Sequence, residues 1–456
     1  MKTVAFHNLG CKVNAYEMDA MLQSLIQKGY QIVPFEEKAD IYIVNTCTVT
    51  NIADRKSRQM LHEAKKTNRQ AVVVAVGCYV QSDPSAAKAE EAVDLIIGNN
   101  KKKNIADILE RYLNGMDVRE ESIIDISHTK EYEEMKLTGT QEHTRAYIKI
   151  QDGCNQFCTY CIIPYARGRV RSRKQADILL EIQGLVAAGY KEFVLTGIHI
   201  SSYGADFAEE SVLHEDVVNH KNFSKNSRHL LALLQAIDKI AGVERIRLGS
   251  LEPRIITQEF VRKLADMQHL CPHFHLSLQS GCAETLKRMN RHYTPKQYME
   301  GVALLRKAFV HPAITTDIIT GFPAETEEEF GQTKQFVEAA AFFEMHIFKY
   351  SRRKGTKAAE MQQQVPEQIK AQRSQELQKI EQEASKQFRS FYLGKEVDVL
   401  MEEEKELSGE KYWIGHTREY VKAAVKAQYG QILSNQIVHG KITGVLQEDI
   451  MLLSIQ

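Results

Sequence analysis

Apolar and polar positions follow three successive rhythms along this chain of 456 residues. Over residues 1–125, short apolar runs at 3–6, 41–44 and 72–76 read as strands. Between them lie stretches at 14–29 and 52–66 with helical spacing, as in Met18, Met21, Leu22 and Leu25. Alternating β and α elements predict a doubly wound parallel sheet. Over 140–375 the same alternation is longer. Six strand-like runs, at 146–150, 192–197, 245–249, 274–278, 314–319 and 345–350, are separated by helical stretches such as 176–188, 230–241, 284–291 and 326–341. Six such units predict a partial (β/α)6 barrel. The segment 211–228 is polar and unpatterned, which reads as a surface insertion. A polar helical connector at 366–387 then leads into short β-like runs at 396–400, 412–415, 420–425 and 437–445. These predict a small β-barrel over 389–456. The expected class is therefore α/β, with three domains at 1–125, 140–375 and 389–456.

Composition narrows the setting. No apolar run approaches the roughly 18–20 residues of a membrane span, and the start, Met1-Lys-Thr-Val-Ala-Phe-His, lacks a signal-peptide core. A cytoplasmic protein is expected, so the eight cysteines serve as packing, catalysts or metal ligands rather than disulfides. Lys plus Arg equals Asp plus Glu at 59 each, so nucleic-acid contact would rest on local basic patches.

Cysteine spacing carries the chemistry. Cys154, Cys158 and Cys161 form C-x3-C-x2-C directly after the strand at 146–150. Three thiolates leave one position of a metal centre unfilled. Structural zinc takes four protein ligands, whereas a 4Fe–4S cube held by three cysteines keeps an open iron. Iron–sulfur is the better reading, since zinc loops more often pair two separated C-x2-C units. A zinc loop completed by Cys271 or a histidine is the alternative. Cys11, Cys47 and Cys78 each follow one of the first three strands, 36 and 31 residues apart. In a parallel sheet those strand ends share one edge, so the three converge on a second open metal site.

Polar clusters recur at the ends of the central strands. Gly197, His199 and Ser201 follow the second, His275, Ser277 and Gln279 the fourth, and Asp317 and Gly321 the fifth. Their shared topological position makes Gly197, His199, Ser277, Gln279, Asp317 and Gly321 candidate cofactor-binding residues. Arg167, Arg169, Arg171 and Arg173 occupy every second position; in an extended segment they would face one way as a cationic strip for phosphates, with 352–357 adding to it. The last domain is not basic, with eight Lys/Arg against ten Asp/Glu over 389–456. RNA contact there would rely on a face carrying Trp413, His416, Arg418 and Tyr420.

Together these motifs resemble the methylthiotransferases of the radical S-adenosylmethionine superfamily over nearly the full length. Asn8-Leu-Gly-Cys11-Lys-Val-Asn14, Asn45-Thr-Cys47 and Gly77-Cys78 look like that family's first domain. The 150–165 loop, Leu276-Ser-Leu-Gln-Ser-Gly281 and Gly321-Phe-Pro look like its catalytic domain, and Gly415-His-Thr-Arg-Glu-Tyr like its RNA-binding TRAM barrel. The resemblance implies that Cys154, Cys158 and Cys161 hold the cluster that cleaves S-adenosylmethionine. It implies an auxiliary, sulfur-delivering cluster on Cys11, Cys47 and Cys78, a tRNA substrate, and an electron donor such as flavodoxin or ferredoxin. Ile150-Gln-Asp-Gly-Cys and Thr196-Gly-Ile-His-Ile are most similar to the branch acting on threonylcarbamoyladenosine 3′ of the anticodon. The other readings are the same reaction on isopentenyladenosine or a ribosomal protein, and a non-catalytic RNA-binding protein with structural metals.

Overall fold

A computed structural model describes residues 1–118, 121–139, 144–207 and 223–455. Most of the insertion expected at 211–228 thus lies outside the described residues.

The first sheet is wholly parallel. It comprises β1 (Thr3–Asn8), β2 (Gln31–Val33), β3 (Ile41–Thr46), β4 (Val72–Gly77) and β5 (Leu95–Ile97) in the order β2-β1-β3-β4-β5. Every residue of β3 is buried, because helices cover both faces of the sheet. The helix Lys12–Gln27 packs on one side and Asn51–Thr67 on the other. Thr50 starts the latter by accepting the amide of Ala53. Sequence pattern shows three of the five strands. The other two have three residues each, too few to display a period.

The central region holds β6 (Ala146–Asp152), β7 (Arg171–Ser172), β8 (Glu192–Gly197), β9 (Arg245–Leu248), β10 (His273–His275), β11 (Ala313–Thr320) and β12 (Glu344–Lys349). β6, β8 and β9 run parallel, as do β10, β11 and β12. A parallel bridge between Leu251 and Leu276 joins the two groups, with the Leu251 amide donating to the His275 carbonyl at 2.8 Å. The result is six parallel strands, as the sequence predicts, plus the short β7 lying antiparallel on β6. Capping boxes at Thr294 and Thr326 begin two of the covering helices.

The helix Glu367–Ser390 leads into β13 (Glu396–Leu407), β14 (Glu410–His416), β15 (Lys422–Lys426), β16 (Ile437–Gln447) and β17 (Ile450–Ser454). They close a five-stranded barrel in the order β13-β14-β15-β17-β16. The barrel sits against the N-terminal ends of the central strands. Arg245 donates to the carbonyls of Asp398 (2.8 Å) and His416 (2.9 Å), Arg247 to that of Arg418 (2.9 Å), and Asn435 to that of Gly189 (2.8 Å). The edge bearing Cys154 is the opposite one. Among the described residues, no helix is long and apolar enough to cross a membrane.

Candidate metal and cofactor site

Parallel pairing brings the first three cysteines together. Asn8 pairs with Asn45, and Thr46 with Gly77, so β1, β3 and β4 end side by side. Cys11 then opens the helix Lys12–Gln27, Cys47 follows β3, and Cys78 begins the short helix Cys78–Ser82. Gly10 has a φ of +113°, and a Cβ there would lie 3.2 Å from the Cys47 sulfur. The loop therefore crosses over Cys47 only because this residue is glycine. Burial, then the neighbouring Cys78, push the Cys47 thiol up to about 12, with Cys11 adding to the effect.

The second triad follows β6. Gly153, with φ +70°, turns the chain against Arg169, whose carbonyl oxygen would lie 1.8 Å from a Cβ at that position. The Cys154 amide then donates to the Gly168 carbonyl at 3.0 Å and the Thr159 amide to that of Met289 at 3.0 Å, which fixes the loop at both ends. The Arg291 guanidinium donates to the Cys158 sulfur at 3.3 Å, and the Gln156 amide to that of Cys154 at 3.5 Å. Burial, then Cys158, raise the Cys154 thiol to about 12 and Cys161 further. Two half-buried thiols with pKa values raised in this way are a poor resting state. A bound cationic centre reverses that balance by stabilising the thiolates.

Ligand count separates a single ion from a cluster. Structural zinc takes four protein ligands, whereas a 4Fe–4S cube spreads its thiolates over separate irons and can be held by three, so each triad suits a cube. Among the described residues, His275, Asp317 and His346 form a separate set whose donor atoms all lie within 4.8 Å of one another.

A buried polar network joins the two triads. Arg167 donates through Nε to the Cys78 sulfur at 3.3 Å, through Nη1 to Glu17 (2.7 Å) and Asp152 (3.2 Å), and through Nη2 to Asn14 (2.6 Å). Lys149 bridges Glu17 (2.6 Å) and Asp152 (2.7 Å), and Lys102 reaches Glu17 at 2.5 Å. Despite burial, these cations, Arg167 first, hold the Glu17 carboxyl well below its ordinary range. Asp152 immediately precedes the Gly153–Cys154 turn, so the network fixes the spacing between triads. Asn99 adds a second donor to Cys78, at 3.5 Å.

The cationic strip expected at 167–173 is not formed. Arg167, Arg171 and Arg173 are 0% exposed. The segment is not one extended strand: Arg167 ends the short helix Ile163–Arg167 and only Arg171–Ser172 form β7, paired with β6, so these arginines turn inward to carboxylates. Arg171 faces Asp152 at 3.6 Å, and Arg173 pairs with Glu134 and Glu181. Arg169 alone is exposed, its guanidinium 4.5 Å above the Phe157 ring. From the 352–357 segment, Arg353 is likewise committed, to Asp54 (2.6 Å) and Thr48 (2.7 Å) of the first domain. The proposed RNA face of the last barrel is also corrected. Trp413 lies in the barrel core and donates to the Gln431 carbonyl, and Arg418 donates to the carbonyls of Gln268 and Leu270. Tyr420 is held between Arg145 and Arg247. That face is the seam between barrel and central domain.

Of the candidate cofactor residues, Gln279 and Asp317 line a cavity of about 270 Å³ together with Tyr160, Cys161 and Tyr350, closed on the other side by Val49 and Thr50. Gln279 has a φ of +72°. The His199 amide donates to the Gln151 side-chain oxygen at 2.7 Å, and burial, then Arg291, lower its ring to about 3, so it is neutral. Ser277 is hydrogen-bonded to Ser250, and Gly197 sits against Gln151 and Ile200. Gly321 lies off the cavity, packed against Lys370. Arg291, Asn99 and Arg167 as partners of the sulfurs are absent from the sequence reading. Only the adjacency of Lys12 to Cys11 offered a local signal for the charged groups near the triads.

Comparison with known proteins accords with this geometry. The family described as uncharacterized protein family UPF0004 matches residues 3–98, and the radical SAM superfamily matches 148–337. The chain is 39% identical over 449 residues to the threonylcarbamoyladenosine tRNA methylthiotransferase MtaB of Bacillus subtilis, covering 97% of this chain and 94% of that protein. It is 33% identical to the tRNA-2-methylthio-N(6)-dimethylallyladenosine synthase of Carboxydothermus hydrogenoformans, over 95% and 96% of the two chains. Among solved structures, the radical S-adenosylmethionine methyltransferase TsrM of Kitasatospora setae shares the fold with a TM-score of 0.55 at 16% identity, covering 77% of this chain and 76% of that one.

Proposed function

The chain belongs to the tRNA methylthiotransferases of the radical S-adenosylmethionine superfamily, and from that premise we propose that it converts N6-threonylcarbamoyladenosine, 3′ of the anticodon, to its 2-methylthio derivative. The observation that carries this is the pair of three-thiol sites on adjoining strand ends, joined through Arg167. When bound, two 4Fe–4S clusters and S-adenosylmethionine supply the one-electron reduction, the radical and the sulfur that an unactivated aromatic C–H bond requires.

The residues then divide the work. Cys154, Cys158 and Cys161 hold the cluster that engages S-adenosylmethionine, with residues 140–375 as its domain. Cys11, Cys47 and Cys78 hold the sulfur-delivering one, within 1–125. Arg291 and the Gln156 amide stabilise thiolate on the first set, and Arg167 and Asn99 on the second. Gln279 and Asp317 bind the cofactor or the base in the cavity beside Cys161. Tyr160, Phe322 and Tyr350 pack edge to face beside it and exclude water. Residues 389–456 stiffen the barrel from its far edge. A small one-electron carrier such as flavodoxin or ferredoxin serves as reductant, and the reaction belongs in the cytoplasm, where thiols stay reduced.

Offering the reconstituted enzyme two tRNAs, one with threonylcarbamoyladenosine and one with isopentenyladenosine, tests the substrate. Mass spectrometry of the nucleosides should find the methylthio product from the first. Product from the second alone would overturn the substrate assignment. RNA contact is tested at Arg169, the exposed member of its series. Arg169→Glu should weaken tRNA binding and reduce the slope of log K against log salt by about one. An unaltered slope removes Arg169 from the RNA interface.

A further inference from the structure

The open face of β10, β11 and β12 gathers three side chains of metal-ligand type that no step above uses together. Ile314 and Ile318 of β11 and Met345 of β12 point into the core, so Thr315, Asp317, Glu344 and His346 lie on the opposite face. In the parallel register Asp317 stands opposite His346, and Thr315 opposite both His275 and Glu344. The Thr315 hydroxyl is hydrogen-bonded to His275 Nδ1 at 2.9 Å, and His275 Nε2 lies 3.1 Å from Asp317 Oδ2. The His346 ring stacks on that of His275 with centroids 5.6 Å apart. His346 is exposed and, among the described residues, makes no hydrogen bond. One donor atom from each of His275, Asp317 and His346 falls within 4.8 Å of the other two.

We propose that His275, Asp317 and His346 bind one divalent first-row metal ion, of the zinc, iron(II) or manganese(II) kind, at the edge of the Cys161 cavity that Asp317 lines. Neighbouring ligands around such an ion, with bonds of about 2.1 Å, lie about 3.0–3.4 Å apart, and the His275–Asp317 separation of 3.1 Å is already of that size. A hydrogen-bonded pair would account for those two side chains but not for His346, which the strand register brings within reach of both. Rotation of this exposed side chain completes the set. Two imidazoles and a carboxylate suit transition metals rather than magnesium or calcium. With Nδ1–H donating to the Thr315 hydroxyl, His275 Nε2 carries the free lone pair that a metal needs. Charge also favours the ion. Asp317 bears on His346 more than Lys12 does, Glu344 adds a carboxylate that bears on His275, and Arg145 and Arg247 are neutralised by Glu402 and Glu192. Three protein ligands leave coordination positions open to water or to a donor atom of a bound base. Coordination through Oδ2 leaves the other Asp317 oxygen for the cavity. The assignment is independent of which modified adenosine the enzyme accepts.

The test uses the reconstituted enzyme with both clusters in place, so that the triad thiolates are occupied. Mn(II), which avoids thiolate ligands, is titrated and followed by its EPR signal. One ion per chain should bind, and Zn(II) should displace it at lower concentration, the order expected for imidazole ligands. His346→Phe and His275→Phe should each weaken binding about tenfold or more, and Thr315→Val, which removes the bond behind His275, by about 10- to 100-fold. His346 is exposed, so its replacement removes no core packing. Should His275→Phe fail to keep the parent's iron content, His346→Phe and Thr315→Val decide by the same criterion. Absence of binding overturns the proposal and leaves His275 and Asp317 as a hydrogen-bonded pair. Binding that His346→Phe and Thr315→Val leave unchanged is an adventitious ion only, and overturns it as well.

Discussion

Replacement of Cys154, Cys158 and Cys161 together by alanine should abolish 5′-deoxyadenosine formation and halve the iron content from about eight atoms per chain to about four. Alanine offers no ligand, and the neighbouring side chains cannot substitute. The groups that bond to the sulfurs, Arg291 and the Gln156 amide, are donors and not ligands. The loop itself should keep its shape. It is fixed by backbone bonds from Cys154 to Gly168 and from Thr159 to Met289, and by the Ala358 amide on the Thr159 carbonyl at 2.8 Å, none of which needs sulfur. Circular dichroism should thus match the parent. The parallel change at Cys11, Cys47 and Cys78 should remove a similar amount of iron and stop methylthio transfer. If the first variant still produced 5′-deoxyadenosine, the assignment of that triad would be wrong.

How much of this was legible beforehand depends on whether the information is local. Strand β6 and the cysteines after it are contiguous, so their order could be read directly. The convergence of Cys11, Cys47 and Cys78 was also accessible, because strand ends in a parallel sheet share an edge whatever the side chains do. The arginines at 167–173 show the opposite case. Alternation tells which residues share a face but not whether that face is wet. The carboxylates that draw Arg167 inward include Glu17, 150 positions earlier. Trp413 and Arg418 were misplaced for the same reason: what covers them is the central domain and the barrel interior. The strands Gln31–Val33, Leu95–Ile97 and Ile450–Ser454 lacked a readable pattern of their own and are held by pairing with their neighbours.

Arg167→Ala should be the most damaging single substitution outside the cysteines, with a loss of about 3–5 kcal/mol and a melting temperature lower by several degrees. The side chain is wholly buried and donates to four different partners, so its removal leaves Glu17, Asp152 and Asn14 each short of a bond in a region water does not reach. Arg167→Lys should rescue little, since one ammonium cannot span the fork from Asn14 to Cys78. Because Glu17 is held well below its unfolded pKa, the stability its ion pairs confer is present above that unfolded value and lost as pH falls through the folded one. The gap between parent and variant should therefore be wide at neutral pH and narrow in acid. Iron retained by the first domain should fall as well, as Arg167 Nε no longer donates to Cys78. Arg167→Met combined with Glu17→Leu provides the sharper test. An isolated buried pair can often be exchanged for apolar residues at no cost, but here the double change takes the only ion-pair partner from Lys102 and leaves Lys149 with Asp152 alone. The double variant should melt no higher than Arg167→Ala, and recovery to the parent's melting temperature would show that the four charges do not act as one network.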